Sequence, residues 1–260
     1  MQRIISNKHI KTNKMKKLSL QFWFLLLIGA ITFSSCLKDN DDGPWDDSLH
    51  GGIMYFVNAY PDASNGLLYS LDGRTVGNPQ TGEPMILDYR TYSHPQLLYP
   101  GSRALTISSH NTDQEVIIDT TLNIKVDTGY TSFVYGSTEQ PKFVMTQDLG
   151  IEDLGQNESG IRFLNLAEGV EGVNLFIENE EEPLYTDRPT ETGTTAMENQ
   201  VFQAQSSGTH TFKLTDTEGN ELVIRDEASQ LRSRYYYTIM LIGKKDDADT
   251  PLYIGVIEHR

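Results

Sequence analysis

The sequence predicts an all-β protein: two tandem antiparallel β-sandwich domains behind an exported N-terminus. Three observations predict it. Apolar residues alternate with polar ones in short runs, turn formers separate those runs, and the chain repeats itself at an offset of about 107 residues. Alternation runs through Ile53, Tyr55 and Val57, through Leu105 and Ile107, and through Phe133 and Tyr135. It returns in Ile161 and Phe163, in Phe212 and Leu214, and in Ile239 and Leu241. A period of two is that of a half-buried strand. Between the runs fall Pro61-Asp62, Asp72-Gly73, Pro100-Gly101, Asp127-Thr128-Gly129 and Glu218-Gly219-Asn220, residues that favour turns through fixed or positive φ and local hydrogen bonds. Strands spaced this way, with no long helical period, suggest about seven strands per sandwich.

The N-terminus comes first in the chain. Arg3, Lys8, Lys11, Lys14, Lys16 and Lys17 precede the apolar run Phe22–Ile31, and no acidic residue occurs before Asp39. The run is shorter than the roughly 20 apolar residues of a spanning helix. A basic region, a short apolar core and then small residues is the secretory pattern, with Met15 as an alternative start to Met1. Phe33-Ser34-Ser35-Cys36 resembles the lipobox of bacterial lipoproteins, in which the cysteine thiol takes a diacylglycerol thioether before cleavage. Residues 1–35 therefore read as a lipoprotein signal peptide and Cys36 as the lipidation site. Two or more acyl chains anchor stably where one holds only marginally, so the expectation is a protein anchored to a membrane without spanning it.

Removing the signal takes away six of the 21 basic residues and none of the 36 acidic ones, leaving 15 against 36 and a formal charge of −21. Such a chain is repelled by phosphate backbones, which argues against a nucleic-acid partner. Cys36 is the only cysteine, so no disulfide staples a single mature chain. Residues 36–51 read as an acidic flexible tether spanning about 20 Å as a coil. Residues 52–149 read as the first sandwich, 150–159 as a linker, and 160–260 as the second sandwich.

The repeat supports that division. Tyr55–Ala59 aligns with Arg162–Leu166, Tyr99–Ile107 with Ser206–Leu214, and Tyr130–Gly136 with Tyr237–Gly243. Leu67–Gly73 aligns with Val173–Asn179 at an offset one residue shorter. The repeated pattern is an opening strand ending Phe56-Val57-Asn58-Ala59, a Leu71-Asp72-Gly73 hairpin, Pro100-Gly101 before an alternating strand, and Tyr130-Thr131 leading into a strand that ends at Gly136. This pattern resembles the bacterial DUF4397 domain, over about 51–148 and again over 160–257. In the second stretch Glu178-Asn179 stands for Asp72-Gly73, and Ser206-Ser207-Gly208 for Tyr99-Pro100-Gly101. The resemblance implies exported Ig-like β-sandwich domains, often in tandem, with no established activity and no catalytic residue to carry over.

Individual residues sharpen this. Tyr130 and Tyr237 resemble the tyrosine corner of Ig-like sandwiches, whose hydroxyl bonds back to main chain. Asn58 and Asn165 are expected to satisfy backbone groups nearby, and Gly101 and Gly208 to supply positive φ. The acidic run Asp39-Asn40-Asp41-Asp42 with Asp46-Asp47 lacks the closing bidentate Glu of a calcium loop, and Gly43 comes one position early. It reads as a solvated spacer. With Lys38-Asp39 just after the lipidated cysteine, it also resembles the address that sends some Gram-negative lipoproteins to the outer face of the outer membrane. His50, His94, His110, His210 and His259 lack the pairing that marks zinc, and no serine sits in a nucleophile elbow; no cofactor is expected. A cluster of aromatics remains, Tyr89, Tyr92 and Tyr99 beside His94, with Tyr235 and Tyr236 in the second half, as the candidate ligand face.

The functional expectation is a non-enzymatic, surface-exposed lipoprotein at the outer membrane, facing the cell exterior, that binds a glycan or an envelope protein or spaces one from the membrane. The alternatives are a hydrolase or metal-dependent enzyme acting on envelope polysaccharide, and a structural subunit of a larger envelope complex.

Overall fold

The computed structural model describes residues 50–61, 66–78, 81–111, 113–177 and 180–259. Residues 1–49, which hold the expected signal peptide, Cys36 and most of the expected tether, lie outside the described residues, as do Asp62 and the Glu178-Asn179 pair. Residues 50–260 form one compact unit. Strands are numbered along the chain. In the first sandwich one sheet holds β1 (Gly52–Asn58), β5 (Thr91–Tyr92), β6 (Gln96–Leu98), β9 (Gly129–Gly136) and β10 (Pro141–Gln147). The other holds β2 (Leu67–Leu71), β3 (Arg74–Thr75), β4 (Ile86–Leu87), β7 (Gly101–Ser109) and β8 (Val116–Ile124).

The second sandwich follows the same plan. One sheet runs β14 (Gln203–Ser206), β11 (Glu158–Asn165), β19 (Tyr236–Ile242) and β20 (Tyr253–His259). Facing it are β13 (Tyr185–Arg188), β12 (Val173–Ile177), β16 (Phe212–Thr215) and β17 (Glu221–Ile224), with β15 (Gly208–His210) paired to β18 (Ser229–Leu231). One helical turn, α1 (Gly193–Glu198), is set by a capping box between Thr192 and Thr195. Each half breaks into ten strands among the described residues rather than about seven, because the sheet edges are divided into two- to four-residue pieces. Pairing is antiparallel with one exception per half: β1 runs parallel to β9, and β11 parallel to β19.

Equivalent residues do equivalent work in the two halves. The Tyr130 hydroxyl accepts from the Lys125 backbone N–H at 2.9 Å, and the Tyr237 hydroxyl from that of Arg232 at 2.8 Å. Both close a turn of the same length onto a buried ring. Asn58 donates from Nδ2 to Leu87 O and accepts from Tyr60 N–H; Asn165 does the same with Arg188 O and Ala167 N–H. Both asparagines are fully buried, where an unpaired amide would be costly. Asp72 and Gly73 take φ of 50° and 74°, the two positive values of a type I′ hairpin joining β2 to β3. Gly136 ends β9 and Gly243 follows β19, at φ of 94° and 95°, where a Cβ would lie 2.4 Å from the Gln140 and Pro251 carbonyl oxygens.

Three cores follow from the alternation. Met54, Phe56, Tyr130 and Val134 point into the first sandwich against Leu67, Tyr69, Leu105 and Ile107. Ile161, Phe163, Ile239 and Leu241 do the same in the second against Val173, Leu175, Phe212 and Leu214. The intervening residues form a third core between the two sandwiches: Val57, Phe133, Tyr135 and Val144 meet Leu164, Leu166, Met240, Ile242 and Ile257. The sheet of β1 and the sheet of β11 are thus covered on both faces. This is why β1, β9, β11 and β19 are buried almost end to end, rather than alternately as the period-two reading predicts.

Candidate ligand-binding site

The third core contains a cluster of polar groups. Arg162 is fully buried on β11, at the position aligned with Tyr55 of β1. Its Nη2 donates to Asp148 Oδ1 at 2.6 Å, its Nε to Thr238 Oγ1 at 2.7 Å, and its Nη1 to the Gln147 carbonyl at 3.1 Å. The guanidinium lies 4.5 Å from the centre of the Phe202 ring. Thr238 Oγ1 is also hydrogen-bonded to His259 Nε2 at 2.7 Å. His259 Nδ1 stands 3.7 Å from Asp148 Oδ2, too far for a hydrogen bond. Thr131 of the first sandwich also donates to Asp148. Burial pushes His259 down to about 4, the Arg162 charge adds to this, and Asp148 opposes it. Burial likewise lowers Arg162, with Asp148 pulling the other way. These bonds tie Arg162 and Thr238 of the second sandwich to Asp148 and Thr131 at the edge of the first.

Beyond that clamp the face of the first sandwich emerges into solvent. β5 pairs with the end of β1 and β6 with its beginning, through Val57↔Tyr92 and Ile53↔Leu97. Residues 93–95 are therefore a crossing between two short strands on one partner. Ser93 is pinned there: its N–H donates to Phe56 O at 2.9 Å and its Oγ accepts from Phe56 N–H at 3.0 Å. Gln96 Nε2 donates to the His94 carbonyl at 3.2 Å. Tyr92 stays 43% exposed on this fixed backbone. Two clefts share it. One, of about 420 Å³, is lined by Ile53, Tyr55, Tyr92–Pro95 and, from the second sandwich, Glu258. The other, of about 240 Å³, runs from Tyr92, Ser93 and His94 to Asn78, Thr81, Glu83 and Gln96. We call Tyr92–Pro95 the ridge.

The structure divides the five predicted tyrosines. Tyr92 lines both clefts of the ridge. Tyr99, 72% exposed, lines a separate groove of about 510 Å³ with Arg74, Leu97 and Arg103. Tyr89 is half-buried against the third core with Arg90 over its ring at 5.0 Å. Tyr235 packs against the second core under Arg232, 4.2 Å away. Tyr236 stacks edge-on against Phe202 at 5.0 Å, and its hydroxyl accepts from Ile151 N–H at 2.9 Å. Glu258 and the Arg162 cluster were not legible as partners in the sequence, although an arginine inside the run Ile161–Leu164 was a visible sign. Among the described residues no three His, Cys, Asp or Glu side chains converge as a metal site needs, and no helix is long and apolar enough to cross a membrane.

Fold and ridge together define the class, an all-β double sandwich presenting a rigid exposed edge. Within it, residues 53–176 match the family described as Domain of unknown function (DUF4397), a span covering the first sandwich and running through β11 into β12. No curated protein matches the chain. Among solved structures, a family CBM26 carbohydrate-binding module from Eubacterium rectale Amy13K, in complex with maltoheptaose, aligns at 11% identity and a TM-score of 0.26, over 77% of this chain and 96% of its own. The tip fimbrial protein Mfa3 from Porphyromonas gingivalis aligns at 13% identity and a TM-score of 0.23, over 80% of this chain and 99% of its own. At such identities and scores neither likeness carries an argument about ligand or assembly.

Proposed function

We propose that this protein is a non-enzymatic binding module of the cell envelope, anchored through a lipid on Cys36 to the outer membrane and facing the exterior, with its ligand held at the ridge. The observation that carries the reading is the ridge itself: an exposed tyrosine on a backbone fixed by two hydrogen bonds to β1, shared by two clefts. Ligand sites are preformed and concave, with apolar surface and a few convergent polar groups, and an ordered site loses less entropy on binding. The second sandwich acts as a degenerate second copy that braces the first and contributes Glu258 to one cleft. Lipobox and acidic tether support the anchoring and the outward address. The test has two arms. Protease added to intact cells should remove the protein, and a Cys36→Ser variant should leave the membrane fraction. Protein that survives shaving on intact cells but is cleaved after lysis refutes the outward face. In a screen of glycans and envelope proteins, capture should be lost on Tyr92→Ala; capture indifferent to that change refutes the ridge.

A further inference from the structure

We infer that the ligand of the ridge is an uncharged oligosaccharide that lies across Tyr92 and reaches into both clefts. The inference rests on the binding reading above and adds the chemical class. Three features of the ridge select it.

The first is charge. No Lys or Arg lines either cleft among the described residues, while Glu83 stands in one and Glu258 in the other. Glu258 is already held by Arg232, which donates to it from Nε at 3.0 Å. An anionic ligand would meet no counter-charge here, in a mature chain that carries −21 overall, and desolvating it unpaired is costly.

The second is the state of the main chain. A peptide adding as a strand takes its affinity from free backbone groups on a sheet edge. On and beside the ridge several of those groups are used or missing. Thr91 N–H donates to Asp88 O, Ser93 N–H donates to Phe56 O, and the His94 carbonyl accepts from Gln96. Pro95 has no N–H to offer. Side chains are therefore the larger part of what the ridge offers a ligand.

The third is what those side chains are. Around Tyr92 stand an imidazole, two amides, a hydroxyl and a carboxylate, from His94, Asn78, Gln96, Thr81 and Glu83. This set both donates and accepts, as a ligand made of hydroxyls requires, and the tyrosine supplies the apolar platform on which a pyranose ring face rests. The larger cleft, about 420 Å³, lies within the size range of small-ligand sites.

The experiment uses the full chain in detergent micelles, titrated calorimetrically with neutral hexasaccharides of glucose, mannose and galactose, with an oligogalacturonide, and with an extended-peptide library. The expected result is binding of at least one neutral hexasaccharide that weakens about tenfold or more in Tyr92→Ala. Tyr92→Phe, which keeps the ring, should stay within about threefold, and so should Tyr99→Ala, which lies outside both clefts. Loss in Tyr92→Phe equal to that in Tyr92→Ala overturns the platform. Oligogalacturonide or peptide binding that depends on Tyr92 overturns the ligand class and leaves the ridge as the site. If no probe binds in a Tyr92-dependent way, ligand class and ridge fall together.

Discussion

Removing the Asp148 carboxylate should be among the most damaging single changes on the surface between the two sandwiches. Asp148 pairs with Arg162 at 2.6 Å, and the side chains are 10% and 0% exposed. Deleting one member of a buried pair leaves the other charge without compensation, at about 3–5 kcal/mol. What remains to Arg162 is Thr238, the Gln147 carbonyl and a long contact of 3.4 Å to the Gln200 carbonyl, none of them charged. Asp148→Ala should therefore lose about 3–5 kcal/mol, roughly 6–20 °C in Tm for a chain of this length. Asp148→Asn keeps an acceptor near Nη2 and should lose less. Replacing both partners with apolar residues, Asp148→Leu with Arg162→Met, should recover much of the loss, because two desolvation penalties disappear together. Urea denaturation followed by tryptophan-independent far-UV signal gives the numbers. An Asp148→Ala variant within about 1 kcal/mol of wild type would refute the clamp, since the charge would then have found water.

Three further outcomes are expected of the same fold. His259 is held at about 4 in the folded protein against 6.5 when free, so the unfolded chain binds the proton first. Stability should therefore fall by up to roughly 3 kcal/mol as pH drops from about 6.5 to about 4, and His259→Gln should flatten that portion of the pH profile in urea titrations. Tyr130→Phe removes one closing hydrogen bond and should cost about 0.5–1.5 kcal/mol by denaturant midpoint; Tyr237→Phe removes the equivalent bond and a second to Glu258 and should cost more, the two adding nearly independently because they sit in different cores. Gly136→Ala and Gly243→Ala force a Cβ against a backbone carbonyl at positive φ. Each should cost more than about 1 kcal/mol, whereas Gly73→Ala, whose Cβ meets nothing within 4 Å, should carry only the strain of its φ.

What could be read in the sequence depended on whether a residue's job was local. The offset of about 107 was legible because Asn58 and Asn165, Tyr130 and Tyr237, and Gly136 and Gly243 each answer to groups inside their own half of the chain, from two residues away to the facing sheet. Those constraints repeat with the chain. The third core was not legible in the same way. Its outer-face residues alternate with inner-face ones, and both sets are apolar, so Tyr237–Ile242 reads as a run rather than as a strand covered twice. The same ambiguity divided the aromatic cluster. Tyr235 and Tyr236 are adjacent and thus point to opposite faces, and both faces of their sheet are covered. Tyr92 was singled out by type and neighbourhood, but its setting depends on two strands of two and three residues pairing with opposite ends of β1. Elements that short carry no period.

Joined through the third core and the Arg162 cluster, the two sandwiches should unfold as one cooperative body that holds Glu258 beside the ridge. Differential scanning calorimetry of the full chain tests it most directly. A single endotherm whose calorimetric and van't Hoff enthalpies agree is predicted. Two separable transitions, one per sandwich, would contradict it.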